Sequence, residues 1–445
     1  MSAAGEGEKR KLTLGREPPC TVVIRDDTVS AKHCELALGA NSVVLRDLAS
    51  TNGCVVNGRD LPRNGAAKLR VGDSIELGDA QFVLERAEVD EPATQEEEEE
   101  EVEEEKPLIA TGGLAVGDVR VGKRIGGGSF GTVFEGSWRG EDVILKCANT
   151  RVEGAAVLLE QEMQLNEIAM QRAPDTCASY IGALEVSAAA SGPIYQGFLT
   201  QGLWLAWRLE STQTLWYFLQ RRGSTPALAA ALGLDASERV GPQLELAVTR
   251  QVMTETLAAL DAMHTAGLVH CDVKPQNMLI TDEGIRLIDL GGGASCIYPP
   301  LLNYAPGEGV HDPLYSPPEA NLLPDNAKPP TLRNARGLWK EHQPQLFDLY
   351  SVGVVLMQLA LPRLRNDAAL KTFREQLDAL DGDLAAWRAA KGTAADDAVL
   401  GQLSGWDLAS GLLRVQRNAG KGKDASPGRL SCTEALSHPF LAEDE

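Results

Sequence analysis

The chain has 445 residues, 43% of them apolar, enough for about two or three domains with sizeable cores. Its formal net charge is −21, so a basic nucleic-acid footprint is not expected. The longest apolar stretch, Val352–Leu361, is about half of the roughly 20 residues that a membrane-crossing helix needs.

Met1–Lys11 carries no apolar signal core, so entry into an organelle would require a targeting segment that has been left out or lies elsewhere. The cysteines (20, 34, 54, 147, 177, 271, 296, 432) are scattered without CxxC pairs, which predicts reduced, structural thiols. The histidines lie far apart and lack Cys or carboxylate partners at ligand spacing, so no transition-metal site is expected.

From Leu12 to Glu85 short β-type runs follow one another: Thr21–Ile24, Cys34–Leu38, Val43–Leu45, Cys54–Val56, Ile75–Leu77 and Phe82–Leu84. Asn-Gly pairs at 52–53, 57–58 and 64–65 punctuate them as turns, and the pattern predicts an all-β sandwich. Its loops hold Gly15-Arg16, Ser30 with His33, and Ser50-Thr51-Asn52-Gly53. Arg16 offers a guanidinium fork and Ser30 a hydroxyl, both suited to an anion; any one of these elements alone would read as surface polarity or a plain turn. Taken in order over residues 11–88, with the trailing Val71-Gly72-Asp73 edge, they resemble a forkhead-associated (FHA) domain. That resemblance implies a phosphothreonine reader, with Arg16, Ser30, Thr51 and Asn52 on the phosphopeptide and His33 bracing the loops.

A spacer follows, expected over 89–113. Residues 88–105 hold twelve carboxylates and no basic residue, a self-repelling block that cannot bury apolar area, so disorder is predicted.

Strand-like sequence returns at Val116. Gly126-Gly127-Gly128-Ser129-Phe130-Gly131-Thr132-Val133 lets backbone N–H groups approach phosphates; alone it is a weak signal, because glycine-rich hairpins are common. Lys146 follows at the end of Val143-Ile144-Leu145, with no helix opening directly after the glycines, which argues against a dinucleotide fold. Lys146 needs an acidic partner. A helix over Gly154–Arg172 offers Glu160, Glu162 and Glu167; Glu167 is favoured, Glu162 is the fallback, and a solvated helix face is the plain alternative. Helical periodicity dominates from about Thr249.

The richest stretch is His270-Cys271-Asp272-Val273-Lys274-Pro275-Gln276-Asn277, followed by Asp289-Leu290-Gly291. Asp272 can accept a hydroxyl proton, Lys274 can neutralise phosphate, and Asn277 with Asp289 can complete a Mg²⁺ site. Ser316-Pro317-Pro318-Glu319, Asp348 and Arg429 come later in the same order. Together these motifs resemble eukaryotic protein kinases across residues 116–442, implying an α+β bilobal fold with an N-lobe over 114–210 and a C-lobe over 211–443. The resemblance implies ATP as cofactor and protein Ser/Thr hydroxyls as substrate. It also implies Gly126, Gly128, Ser129, Phe130, Gly131, Val133 and Lys146 on the nucleotide, Asn277 and Asp289 on Mg²⁺, and Asp272, Lys274, Lys146 and Glu167 in catalysis. Leu203–Glu210 resembles the strand that leads to the hinge of a protein kinase, with Trp207 near the gatekeeper position. Asp348 would brace the catalytic loop, and Arg429 would pair with Glu319.

Cys271 stands where these kinases usually have Arg, and residues 292–315 contain no Thr. Switching by activation-loop phosphorylation is therefore not expected. Residues 329–387, with Gly405-Trp406-Asp407-Leu408, resemble the chloroplast state-transition kinases that phosphorylate light-harvesting antenna proteins on thylakoids. Those relatives carry a membrane span and a regulatory cysteine pair where this chain has the FHA-like module. Two rival readings remain: a checkpoint-type nuclear kinase, and a catalytically dead FHA-pseudokinase scaffold. Thr94, ahead of Glu96 and Glu97, raises a further expectation, that its phosphorylation pairs two molecules through the Arg16 pocket.

Overall fold

The computed structural model describes residues 10–17, 20–24, 26, 28–39, 42–57, 59–63, 65–69, 73–78, 80–83, 114–127, 130–235, 239–307, 311–416 and 428–442. The acidic block at 88–105, Thr94, Val71, Gly72, Gly128 and Ser129 lie outside them. The chain divides into two compact units, before and after the 108/109 junction.

The first unit is a β-sandwich. One sheet has the order β2-β1-β3-β4-β7, from β1 (Arg10–Gly15), β2 (Val22–Val23), β3 (Cys34–Gly39), β4 (Ser42–Asp47) and β7 (Ala66–Leu69). The other runs β6-β5-β8-β9, from β5 (Cys54–Val56), β6 (Arg59–Asp60), β8 (Ser74–Leu77) and β9 (Ala80–Val83). Leu14, Cys34, Leu45 and Leu69 of the first sheet meet Cys54, Ile75 and Leu77 of the second in one core. β1, β6 and β7 were absent from the sequence reading. Their residues are too polar or too alanine-rich to signal a strand, and pairing with neighbours makes them strands.

The second unit opens with an antiparallel sheet of order β10-β11-β12-β14-β13, from β10 (Val119–Gly127), β11 (Gly131–Trp138), β12 (Glu141–Ala148), β13 (Tyr180–Val186) and β14 (Gly202–Arg208). Helix α1 (Ala155–Arg172) packs on it, close to its predicted span. Next come α2 (Leu215–Leu219), α3 (Thr225–Ala231) and α4 (Pro242–Thr265); α4 starts earlier than its periodicity suggested because Pro242 occupies the first turn, where a missing N–H costs nothing. A short ladder of β15 (Leu268–Val269) with β18 (Ala294–Ser295) flanks the hairpin of β16 (Met278–Thr281) and β17 (Gly284–Leu287). Then follow α5 (Ala335–His342), α6 (Leu346–Ala360), α7 (Asp367–Asp378), α8 (Leu384–Lys391), α9 (Asp397–Leu400), α10 (Gly405–Leu412) and α11 (Cys432–Leu436).

Every residue of α6 is buried, which is why its sequence is apolar on nearly every side, with Asp348, Ser351 and Gln358 as the polar exceptions. It packs against α4 and α10 at the centre of the helical lobe. Among the described residues, no helix is long and apolar enough to cross a membrane.

Candidate active site and phosphopeptide loops

In the sandwich, His33 ties the loops together. The Ser30 backbone N–H donates to its Nδ1 at 3.1 Å, and its Nε2 meets the Gly53 carbonyl at 2.9 Å. Asp47 and Cys54 stand beside His33. Both ring nitrogens of His33 are hydrogen-bonded, and the Cys54 thiol donates to Asp47 at 3.4 Å, so this buried trio reads as a brace and not as a metal centre.

The brace brings the expected residues together. The Thr51 N–H donates to Ser30 Oγ at 2.9 Å, and Ser30 Oγ–H reaches Thr51 Oγ1 at 3.3 Å. Asn52 Nδ2 donates to the Thr28 carbonyl at 2.7 Å. The Arg16 N–H donates to the Ser30 carbonyl at 2.9 Å, which places Arg16 on the same rim. A side chain on Gly15 would bring its Cβ to 2.3 Å from the Ala31 carbonyl oxygen, so only glycine permits this approach.

In the second unit a cleft of about 1010 Å³ is lined by Gly126, Phe130, Gly131, Val133, Lys146, Glu162, Trp207, Asp272, Lys274, Asn277 and Asp289, among others. β10 delivers Gly126 and Gly127, β11 delivers Gly131, and β12 delivers Lys146. The β16–β17 hairpin separates Asn277 from Asp289 and folds them back into the same space. A Cβ on Gly131 would sit 2.9 Å from Lys146 Cε, so this glycine keeps the lysine's path open.

Lys146 Nζ lies 2.7 Å from Glu162 and 2.8 Å from Asp289. The expectation for Glu167 is thus corrected: the glutamate that meets Lys146 is Glu162. Ala155, Leu159, Glu162, Asn166 and Ala169 form the inward stripe of α1, three or four residues apart, whereas Glu167 lies about 140° round the helix from Glu162. That stripe was readable in the sequence and would have selected Glu162.

Burial opposes the charge on Lys146, but Asp289 and Glu162 together raise its pKa, so it remains an ammonium. Burial lifts Glu162 to about 7 against the pull of Lys146. Asp289 shifts the other way: its partial burial works to raise the carboxyl, but Lys146, His270 and the Gly291 N–H together hold it below the usual range.

Asp272 Oδ1 lies 2.9 Å from Lys274 Nζ, and Asn277 Nδ2 donates to Asp272 Oδ2 at 2.8 Å. Burial raises Asp272, with Lys274 working against it, which favours a group able to take a proton. Lys274 also faces Asp312 at 3.4 Å, a cleft carboxylate the sequence reading did not single out. The Asp289 carboxylate and the Asn277 carboxamide supply the hard oxygen donors that Mg²⁺ takes, and the Asp289 side chain is 47% exposed toward the opening.

Two buried polar contacts hold this machinery, a carboxylate–imidazole hydrogen bond and an arginine–glutamate ion pair. Asp348 accepts from His264 Nε2 at 2.8 Å and from the backbone N–H groups of His270 and Cys271. Arg429 NH1 meets Glu319 at 2.7 Å, the pairing expected from the motif order. Cys271 packs in an apolar cluster with Ala294, Cys296, Tyr304, Leu323 and Phe347; Leu338 of α5 joins it, so the stretch between Glu319 and Asp348 braces the segment that follows Asp289.

A glycine-rich hairpin, a lysine–glutamate pair across sheet and helix, and a proton acceptor beside two oxygen ligands in one cleft define a protein kinase. Residues 119–441 match the protein kinase domain family, and the chain belongs to that family. More particularly, it is a Ser/Thr protein kinase that uses ATP and carries an FHA domain, matched over residues 12–78. It is 31% identical to the serine/threonine-protein kinase STN8, chloroplastic, of Arabidopsis thaliana, over 73% of this chain and 70% of that protein. With STN7, chloroplastic, of the same plant it shares 30% identity over 73% of this chain, and it spans only 57% of that relative's length. The crystal structure of a Stt7 homolog from Micromonas algae, soaked with ATP, superposes with a TM-score of 0.67 at 38% identity, covering 78% of this chain and 98% of the other.

Proposed function

We propose that this kinase works in the chloroplast, in the stroma or at the thylakoid surface. There it phosphorylates Ser/Thr hydroxyls of light-harvesting antenna proteins, and its FHA domain recruits it to phosphothreonine-bearing partners. The observation that carries the catalytic reading is the convergence of Lys146–Glu162, Asp289 and Asn277–Asp272 on one cleft. The likeness to the chloroplast kinases supports the location and substrate class. In modular terms, residues 11–88 read phosphothreonine, 89–113 connect, and 114–210 with 211–443 catalyse.

The residues divide the work as follows. Gly126, Gly128, Ser129, Phe130, Gly131 and Val133 enclose the ATP phosphates, and Lys146, aimed by Glu162, holds the α- and β-phosphates. Asp272 orients the acceptor hydroxyl and takes its proton as the new O–P bond forms and the bond to the leaving ADP oxygen breaks. Lys274 screens the charge on the transferred phosphoryl group. Mg²⁺, held by Asn277 and Asp289, would neutralise phosphate charge. The protein's contribution is positioning and preorganised charge.

Incubation of the full chain with radiolabelled ATP and isolated thylakoid membranes tests this reading, with Asp272→Asn as control. Label entering antenna proteins above that control is expected; label confined to a generic acceptor would remove the substrate assignment and leave the kinase. Arg16→Ala should abolish phosphothreonine-peptide binding while transfer to a free peptide persists. Phosphorylated Thr94 engaging a second molecule's Arg16 pocket would appear as a dimer that phosphothreonine peptide dissolves; a protein that stays monomeric when phosphorylated has no such pairing.

A further inference from the structure

The back wall of the cleft is joined to the helix carrying Glu162 by a buried polar contact that phosphoryl transfer does not itself require. Trp207 is the next-to-last residue of β14, lies opposite Ile144 in the sheet, and lines the cleft. Its indole N–H donates to Asn166 Oδ1 at 3.1 Å. Asn166 Nδ2 in turn donates to the Glu162 backbone carbonyl at 2.8 Å, one turn back along α1. The relative exposures of Trp207, Asn166 and Glu162 are 9%, 4% and 3%, so water has little access to compete for these groups.

An indole has one hydrogen to donate, and a buried one needs an acceptor. Asn166 occupies the inward stripe of α1, four residues from Glu162, where packing alone would favour an apolar side chain. Asn is also a poor helix former, because its side chain competes for backbone hydrogen bonds. Its presence there is accounted for by what it orients. If α1 moved off the sheet, Trp207 would lose Asn166 as Glu162 lost Lys146, and two buried polar groups would be stranded together.

The usual alternative for fixing this helix is weakened at the other side of the cleft. Cys271 replaces the arginine that would hold an activation-loop phosphate, and it is packed among apolar side chains.

We propose that Trp207 and Asn166 are positioning residues. Their hydrogen bond keeps α1 against the sheet with Glu162 on Lys146, so that the kinase is competent without a phosphorylated activation segment. The inference rests on the kinase activity, which supplies the quantity to be measured.

The test uses the full chain treated with phosphatase, a generic protein acceptor, and ATP as the varied substrate. Wild type should remain active after the treatment. Trp207→Phe and Asn166→Leu should each raise KM for ATP about tenfold, the size expected when a buried hydrogen bond is broken. Thermal midpoints should stay within a few degrees of wild type, and the double variant should be no worse than either single one, because both remove the same bond. Additive effects, or an unchanged KM with only a lowered midpoint, would show packing without positioning and overturn the proposal. Loss of wild-type activity on phosphatase treatment would overturn it as well. Absence of transfer by wild type in any state would sink the catalytic reading itself, and the proposal with it.

Discussion

Asp348, inside the fully buried helix α6, accepts the backbone N–H of Cys271 at 2.8 Å. Cys271 has φ of +63°, a left-handed conformation that costs a non-glycine residue of order 1 kcal/mol or more. The same carboxylate holds the His270 N–H and the His264 ring, so one buried charge fixes the turn that presents Asp272.

Asp348→Ala should therefore damage both stability and rate. It leaves two backbone N–H groups and an imidazole without their acceptor, a loss of about 3–5 kcal/mol by analogy with broken buried pairs. Urea unfolding measures the first effect. A fall in kcat larger than the fall in folded fraction measures the second.

The assignment of Glu162 predicts an asymmetric pair of variants. Glu162→Gln removes the charge that aims Lys146 and should lower kcat/KM by about 10–100-fold, the scale of a lost charge-assisted contact of about 1.5–3 kcal/mol. Glu167→Gln should stay within about twofold of wild type. The reverse ranking in steady-state assays would restore the original expectation.

Cys271→Arg, which writes the usual kinase letter back, should not create a phosphorylation switch. The thiol is buried among apolar groups, and a guanidinium placed there would be desolvated and overpacked. Destabilisation of about 3 kcal/mol or more is expected, read by the urea midpoint.

Asp396 gives the C-lobe a pH dependence of defined sign. Burial works to raise its pKa, but Arg363, at 3.0 and 2.7 Å, and the Thr393 N–H more than offset that and hold it below the usual carboxylate value. The stabilisation is therefore present above about pH 4 and is lost as pH falls through the depressed folded value. Asp396→Asn should cost about 1–2 kcal/mol at pH 7 and flatten the acid limb of unfolding midpoint against pH. An acid limb identical to wild type would exclude this pair as its source.

Legibility in the sequence followed the physical range of each signal. Asp272, Lys274, Asn277 and Asp289 stand within eighteen positions, so their chemistry could be read from spacing alone. Arg429 and Glu319 are far apart, yet motif order anticipated their contact at 2.7 Å. Glu162 stands only as the fallback until the inward stripe of α1 is counted out at helical spacing. The Trp207–Asn166 bond joins a strand to a helix, and no local pattern announces it. In the sandwich, Ala66–Leu69 carries little β-propensity and becomes a strand only by pairing with Val43–Arg46.

The cysteines also make the protein its own reporter of opening. Cys34 and Cys54 are buried in the sandwich core, while Cys271, Cys296 and Cys432 are buried in the helical lobe. Burial pushes the Cys271 and Cys296 thiols far above their ordinary value, and Cys147 and Cys177 up to about 11, so thiolate is scarce while the fold is closed. Alkylation at the buried sites, Cys34 and Cys54 in one unit and Cys271, Cys296 and Cys432 in the other, must then wait for local or global unfolding, and its rate measures the free energy of that opening. Mass spectrometry of the unmodified chain can follow the two units separately in one experiment, with no engineered label.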